Sequence, residues 1–419
     1  MRKNILAAAI AAAWLPLPAA ATTGYFQHGY GIMSKGMGGV GIALPQDSLA
    51  AATNPAGMAW VGNRADGGLD IFSPNRGAEI TGNLAGLNGT YDGNGRKTFL
   101  VPEFGFNRMV GQNLALGVSV FGNGGMNTYY NNSPFRAFGG SSPAGVDLMQ
   151  MFISPTAAYK FGNHSFGVSL NIAYQQFAAQ GLEPFAGFSS SPANFTNRGR
   201  DSSSGAGLRF GWTGKVTQNV TLGATYQTKT KMSKFDKYKG LFADQGGFDI
   251  PENYGVGIAL KATPALTIAA DVERINYADV RSVGNSINSL FSGAQLGATN
   301  GPGFGWRNGT AYKIGLAYEL SPTLTLRAGY ATMRQPIPAN QTLFNVIAPG
   351  VVEDHVTLGA TWKVSKQGEL SFSYMHAFEK KVSGAGSIPP GFPPAGFGGG
   401  EANLRMKQNA LGVGFGWKY

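Results

Sequence analysis

Leu411-Gly-Val-Gly-Phe-Gly-Trp-Lys-Tyr419 ends the sequence, and its residues alternate. Leu411, Val413, Phe415, Trp417 and Tyr419 take one parity; Gly412, Gly414, Gly416 and Lys418 take the other. A period of two with one wholly apolar face is a β-strand. That face finishes on two aromatic rings, as a strand does where it crosses a membrane–water interface. A soluble sandwich strand can alternate in the same way, but it rarely ends on an exposed Trp and Tyr.

The beginning of the sequence agrees. Arg2 and Lys3 precede an apolar run from Ile5 to Leu17, followed by Ala19-Ala20-Ala21. A basic start, a short apolar core and small residues form a secretory signal peptide, expected to be cleaved near Ala21. No later run approaches the roughly eighteen apolar residues of a spanning helix. The expectation is an exported chain that crosses a membrane with strands.

Composition narrows the function classes. The formal charge is +11; without Arg2 and Lys3, and with no acid in residues 1–21, it is +9. The basic residues are scattered, and an exported chain meets little nucleic acid, so no nucleic-acid partner is expected. The densest basic run, Lys229, Lys231, Lys234, Lys237 and Lys239, falls in one loop and suits acidic lipid headgroups or a solvated face. There is no cysteine, which excludes disulfides, thiol catalysis and thiolate-bound metal. His28, His164, His355 and His376 lack ligand spacing, so neither a metal site nor a cofactor is expected, and the chain reads as no enzyme. Charged residues make up 13% and glycine 63 of 419 positions, which suits one face in lipid and one in a lumen.

Alternation and turn residues mark fourteen strand candidates: 65–74, 99–109, 114–122, 150–161, 164–177, 205–217, 219–229, 253–262, 265–277, 308–320, 323–333, 354–364, 368–379 and 407–419. Tight connections such as Gly162-Asn163, Thr263-Pro264 and Ser321-Pro322 alternate strictly with long polar or Gly/Pro-rich ones, six against seven. Short turns at one end and long loops at the other are the pattern of an antiparallel outer-membrane β-barrel. The predicted fold is all-β: a 14-stranded transmembrane barrel over 65–419, the last strand closing on the first.

Residues 22–64 fall outside the strand pattern. They are Gly-rich, and a helical turn from Pro45 through Ala52, capped by Asp47 or Ser48, is predicted there. Such a segment either hangs in the periplasm or folds back as a plug. Gly36-x-Gly38-x-x-Gly41 matches a dinucleotide fingerprint in letters only, since no strand–turn–helix surrounds it; its glycines suit close backbone packing. Asn54-Pro55-Ala56 starts a turn within the same segment.

Taken together these features resemble the FadL family of outer-membrane transporters of hydrophobic compounds. The residues that carry the resemblance are the signal peptide, Gly36–Gly41, Asn54-Pro55-Ala56, Trp306-Arg307-Asn308, Arg327-Ala-Gly-Tyr330, Pro336-Ile-Pro338-Ala339 and Ser373-Tyr374-Met375-His376. It covers nearly the whole chain after the signal peptide. The resemblance implies an N-terminal hatch over 22–64 that plugs the lumen and includes Asn54, Pro55 and Ala56. It implies ligand capture at the outer loops, an inner site near Gly24, Tyr25 and Phe26, and lateral release through a kink in the third strand. Gly122-Asn123-Gly124-Gly125 suits that kink, with Gly124 at its centre.

Phe185, Phe188 and Phe195 would supply apolar capture surface in one loop; Leu241, Phe242 and Phe248 would do so in another. Exposed rings at loop tips favour a contact role; mutual packing that orders the loops is the alternative. Arg307 is the candidate for holding a carboxylate head, with Lys313 as its rival. The expected function is passive uptake of hydrophobic small molecules such as long-chain fatty acids. Monoaromatic hydrocarbons are an alternative substrate, and a permanently plugged structural or adhesive barrel an alternative class. Expected partners are the ligand, outer-membrane lipid and lipopolysaccharide, and the barrel assembly machinery, which would read Tyr419; the resemblance implies a monomer.

Overall fold

A computed structural model describes residues 23–393 and 395–419. The proposed signal peptide, residues 1–21, lies outside them. Fourteen long strands form the wall: β1 (Arg64–Thr81), β2 (Phe99–Val110), β3 (Leu114–Asn127), β4 (Gly145–Phe161), β5 (His164–Gln180), β6 (Asp201–Lys215), β7 (Val220–Gln227), β8 (Asn253–Lys261), β9 (Leu266–Ile275), β10 (Gly309–Ser321), β11 (Leu324–Met333), β12 (Asp354–Lys363), β13 (Gly368–Val382) and β14 (Glu401–Lys418). Each pairs antiparallel with its sequence neighbours. β14 returns to β1 in unbroken register from Arg64↔Lys418 to Thr81↔Glu401, so the sheet closes. Closure removes the free edges that an open sheet would leave unpaired. Two short pieces, Gly89–Asp92 and Lys231–Met232, pair on strand ends outside this circuit.

The alternation at the end of the sequence is now explained on both faces. Leu411, Val413, Phe415 and Trp417 point outward at 55, 44, 45 and 42% exposure, as a lipid-facing row does. The glycines between them take the inward parity, and two of them face a residue inside the lumen as well as the wall. A Cβ on Gly412 would stand 2.8 Å from Ile32 Cδ1, and one on Gly414 3.0 Å from Ile32 Cγ1. Other strand glycines repeat the pattern: a Cβ on Gly167 would collide with Pro55, and one on Gly315 with Met37.

What fills the lumen is the segment before β1. Most of its described residues are buried and none of them is exposed. Asp271 of β9 accepts the Gly41 and Ile42 N–H groups at 2.7 and 3.0 Å. Thr357 of β12 accepts Gly38 N–H at 2.7 Å, and Arg209 of β6 donates to Thr53 O at 2.8 Å. The Trp60 indole donates to Ser165 of β5 at 2.7 Å. Lys35, 1% exposed, pairs with Asp70 of β1 at 2.8 Å and Glu103 of β2 at 3.0 Å. A buried ion pair is costly to break from one side, so it fixes the segment to those two strands.

Two local expectations change. The predicted turn from Pro45 to Ala52 shrinks to a 3₁₀ turn at Ala50–Ala52 with no side-chain cap. Ser48 instead bonds Asp66 of β1, and Asp47 Oδ1 accepts Leu49 N–H at 2.9 Å. The capped element is Pro55–Ala59, where Asn54 Oδ1 accepts Ala56 N–H at 3.1 Å. Several strands also run further than the sequence pattern suggests: β1 to Thr81, β3 to Asn127, β4 from Gly145, β6 from Asp201 and β14 from Glu401. Every extension is at the long-loop end. There the strands have left the bilayer, so their outer face need not be apolar and the alternation fades.

Candidate ligand pathway

The long loops fold together over the outer mouth. Between them lies a cavity of about 540 Å³, open solvent included, whose lining includes Phe135, Phe177, Phe185, Phe195, Phe242 and Phe304. Ser282 is the one polar side chain among its described lining residues, and none is charged. Phe135 and Phe185 meet edge to face at 5.0 Å, and Phe177 packs on Phe242 at 4.6 Å. The expected exposed rings are therefore buried: Phe185 is 6% and Phe242 4% exposed. Loop tips in water cannot keep so many apolar rings apart, and these rings pack together while still lining a space. Phe188 is partly buried against Phe397 at 5.6 Å and lines no part of that space.

From this cavity a run of rings descends to the N-terminal segment. Phe242 meets Phe248 at 4.9 Å, and Phe248 meets Tyr25 at 6.0 Å. Tyr25 is fully buried among Phe26, Tyr277 and Trp306, at 5.3, 5.1 and 5.8 Å. Burial raises the Tyr25 and Tyr277 phenols well above their ordinary pKa, so both stay neutral. The Trp306 indole is held by Asn345 Oδ1 at 2.6 Å.

Arg307 is not part of this cluster. Its side chain is exposed, its N–H bonds Pro336 O at 2.8 Å, and its neighbour Trp306 is the one that turns inward. Lys313 is inside but is paired with Glu273 at 2.9 Å. Asn54, Pro55 and Ala56 do not line the outer cavity: Asn54 Nδ2 donates to Ile42 O within the same segment at 2.7 Å and to Trp212 O of the β6 wall at 3.0 Å. Sequence reasoning does not place Tyr277 and Trp306 in the ring cluster around Tyr25. Their signal was an aromatic ring at a loop boundary, which alternation cannot orient.

The third strand is interrupted where the glycines stand. Its register against β4 shifts between Gly122 and Gly124, leaving Asn123 as a bulge. On its other side the ladder with β2 stops at Phe104↔Val120, although β2 continues up β1 to Phe99. Phe121–Asn127 thus has a free edge toward β2, and the N-terminal segment occupies it. Gly125 N–H donates to Tyr25 O at 2.9 Å, Gln27 N–H to Asn123 O at 3.2 Å, and Gln27 Nε2 to Gly122 O at 2.6 Å. A Cβ on Gly124 would overlap Tyr25 O. Inside this seam a second cavity of about 360 Å³, open solvent included, is lined by Phe72, Phe99, Gly24, Gly125, Met126 and Pro349, among others.

This geometry has known counterparts. Residues 19–416 match the family described as outer membrane protein transport protein (OMPP1/FadL/TodX). The chain belongs to this family. Among solved structures similar to this OMPP1/FadL/TodX member is the Pseudomonas putida toluene transporter TodX, at 18% identity and TM-score 0.68, covering 94% of this chain and 99% of that one. A Pseudomonas aeruginosa FadL homologue gives 16% identity and TM-score 0.70 over 94% and 99%. The Ralstonia pickettii toluene transporter TbuX gives 18% and 0.64 over the same shares. No curated protein sequence matches the chain. The family is one of transport channels rather than enzymes, and with the closed barrel it indicates the outer membrane of a Gram-negative cell.

Proposed function

We propose that this barrel takes up hydrophobic small molecules passively, from the outer cavity, along the Tyr25 cluster, and out through the β2–β3 seam into the membrane. The observation that carries this reading is the succession of apolar spaces and rings from the loops to the interrupted ladder. Burying a CH₂ is worth about 0.8 kcal/mol, so such a path captures greasy ligands without an energy source. In this reading residues 1–21 are a signal peptide cleaved near Ala21, residues 22–64 a hatch, and residues 65–419 the transporting barrel. Tyr25 and Phe26 form the inner site, Phe185 and Phe242 the capture site, and Asn54, Pro55 and Ala56 the anchor of the hatch. The barrel works as a monomer among outer-membrane lipid and lipopolysaccharide, placed there by the barrel assembly machinery.

Between substrate classes the lining favours uncharged monoaromatic hydrocarbons over fatty acids. No cation lines the outer cavity among the described residues, Arg307 lies outside the cluster, and Arg76 at the seam has its N–H groups engaged by Asn127, Pro74 and Arg96 oxygens, so the capture site offers no group for a carboxylate. That the similar TodX and TbuX are toluene transporters supports the same choice. The test is uptake of labelled toluene and labelled palmitate by a host lacking its own transporter. We expect toluene uptake to rise at least fivefold and palmitate uptake to rise less. No gain of either probe, with the barrel correctly inserted, would sink the transport reading and leave the plugged structural barrel.

A further inference from the structure

The seam between β2 and β3 is bounded below by the last ladder pair, Phe104↔Val120, and above by the bridge between Asn94 and Tyr129. Between these limits no ladder hydrogen bond joins the two strands. One side chain ties the upper part of this window together. Arg76 extends inward from β1, fully buried. Its Nε donates to Asn127 O of β3 at 2.6 Å and its Nη2 to Asn127 Oδ1 at 2.5 Å. Nη2 also donates to Arg96 O, in the stretch leading into β2, at 2.7 Å. Nη1 donates to Pro74 O at 3.1 Å.

All three guanidinium nitrogens are thus spent on neutral acceptors. Among the described residues no ion pair includes Arg76; the nearby Asp147 is taken by Arg200 at 2.5 Å. A buried charge with no carboxylate in ion-pair contact is costly, and a structural role elsewhere in the wall would be met more cheaply by an uncharged residue. Here the planar fork does what an uncharged side chain cannot: it reaches β3, its own strand and the approach to β2 at once. Among the described residues Arg76 is also the one charged side chain lining the cavity inside the seam.

We propose that Arg76 is the latch of the seam, a positioning residue that holds the free end of β3 against β1 and β2 and so limits the rate of lateral release. This rests on the uptake reading above. Arg76→Gln removes the fork; Arg76→Lys keeps the charge but can reach only part of the acceptor set. In the full-length protein in lipid nanodiscs, hydrogen exchange should quicken at least tenfold in Phe121–Asn127 and Tyr25–Gln27 of the Gln variant. The Lys variant should be intermediate, and the β8–β9 ladder should be unchanged in both.

In cells, the maximal rate of toluene uptake should rise two- to fivefold in the Gln variant with the half-saturating concentration unchanged, because the outer cavity is untouched. Unaltered exchange in Phe121–Asn127 overturns the latch. So does quickened exchange with an unaltered or lowered maximal rate. If the wild-type barrel takes up no toluene at all, the uptake reading fails, and the exchange arm still decides whether Arg76 holds the seam.

Discussion

His28 shows how tightly the lumen is filled. Its ring is 3% exposed, stacks on His355 of β12 at 6.3 Å, and approaches Lys35 O with Nε2 at 3.2 Å. Burial first, then the facing His355 ring and the charges of Lys35 and Lys313, lowers its pKa to about 3. Its ordinary value is about 6.5. Below that value the undocked segment binds a proton that the docked one refuses. The contribution of His28 to docking is therefore complete above pH of about 6.5 and is lost as pH falls through the window toward about 3. Exchange protection of the Gln27–Gly41 amides, corrected for intrinsic rates, should fall at least tenfold from about pH 7 to about pH 4.5, and His28→Gln should lose this dependence. Equal protection at both values in the wild type would show that His28 does not govern docking. Arg307 marks the limit of sequence reading at this scale. Residues 301–308 form no regular element, so periodicity could not tell that Trp306 turns in and Arg307 out. Arg76 was missed for a related reason. Ending β1 at 74 hid that Arg76 continues the inward parity of Asp70, Phe72 and Pro74.

At the scale of elements, the strands were legible wherever they face lipid, because the bilayer imposes an apolar parity on each of them. A spanning strand needs about 10 residues, and β1 and β14 have 18 each, so the remainder projects beyond the membrane and loses the signal. The N-terminal segment was legible as an insert only through its composition, since its contacts are made by backbone and by glycines on the wall. Those contacts are testable. A Cβ on Gly211 of β6 would overlap Asn54 Oδ1 and come within 2.8 Å of Pro55 Cδ. Gly211→Ala should loosen the Pro55–Ala59 turn by about 1–3 kcal/mol, the usual cost of overpacking, read as faster exchange there in an intact barrel. Unchanged protection would mean that the turn shifts freely. β3 offers the complementary test. A Cβ on Gly122 would come within 3.1 Å of Val101 Cγ1 across the seam and of Gln27 Nε2. Gly122→Leu should fill the seam and cut toluene uptake at least tenfold while leaving the amount of heat-modifiable barrel unaltered. Full uptake in this variant would point to a route straight through the lumen.

For the whole molecule, the question is what the barrel passes. A wall of this size with an empty lumen would hold water and admit polar solutes, as larger porins do. This lumen is filled from both ends. Residues 23–63 occupy the lower part, bonded to the wall on many sides. From above, the connection between β11 and β12 turns inward, with Leu343, Val346, Val351 and Val352 each at most 1% exposed. Tyr130 Oη and Thr128 Oγ1 hold it by bonds of 2.7 Å each to Val346 O and Ile347 O. Ile347 lines the outer cavity and Ala348–Gly350 line the one at the seam, so this connection is the partition between the two spaces. A glucose molecule entering the outer cavity would give up its water hydrogen bonds to phenylalanine rings, at a cost of several kcal/mol for the unsatisfied hydroxyls. A toluene molecule loses no hydrogen bond there and gains burial. The same packing that closes the barrel to water therefore selects what enters it. Proteoliposomes containing the protein should swell in glucose no faster than empty ones and should show no steady ionic conductance, while accumulating toluene faster than empty ones into an internal hydrophobic trap. Swelling in glucose at a porin-like rate would mean that the two inserts do not close the lumen, and that selection for apolar ligands arises elsewhere than in this packing.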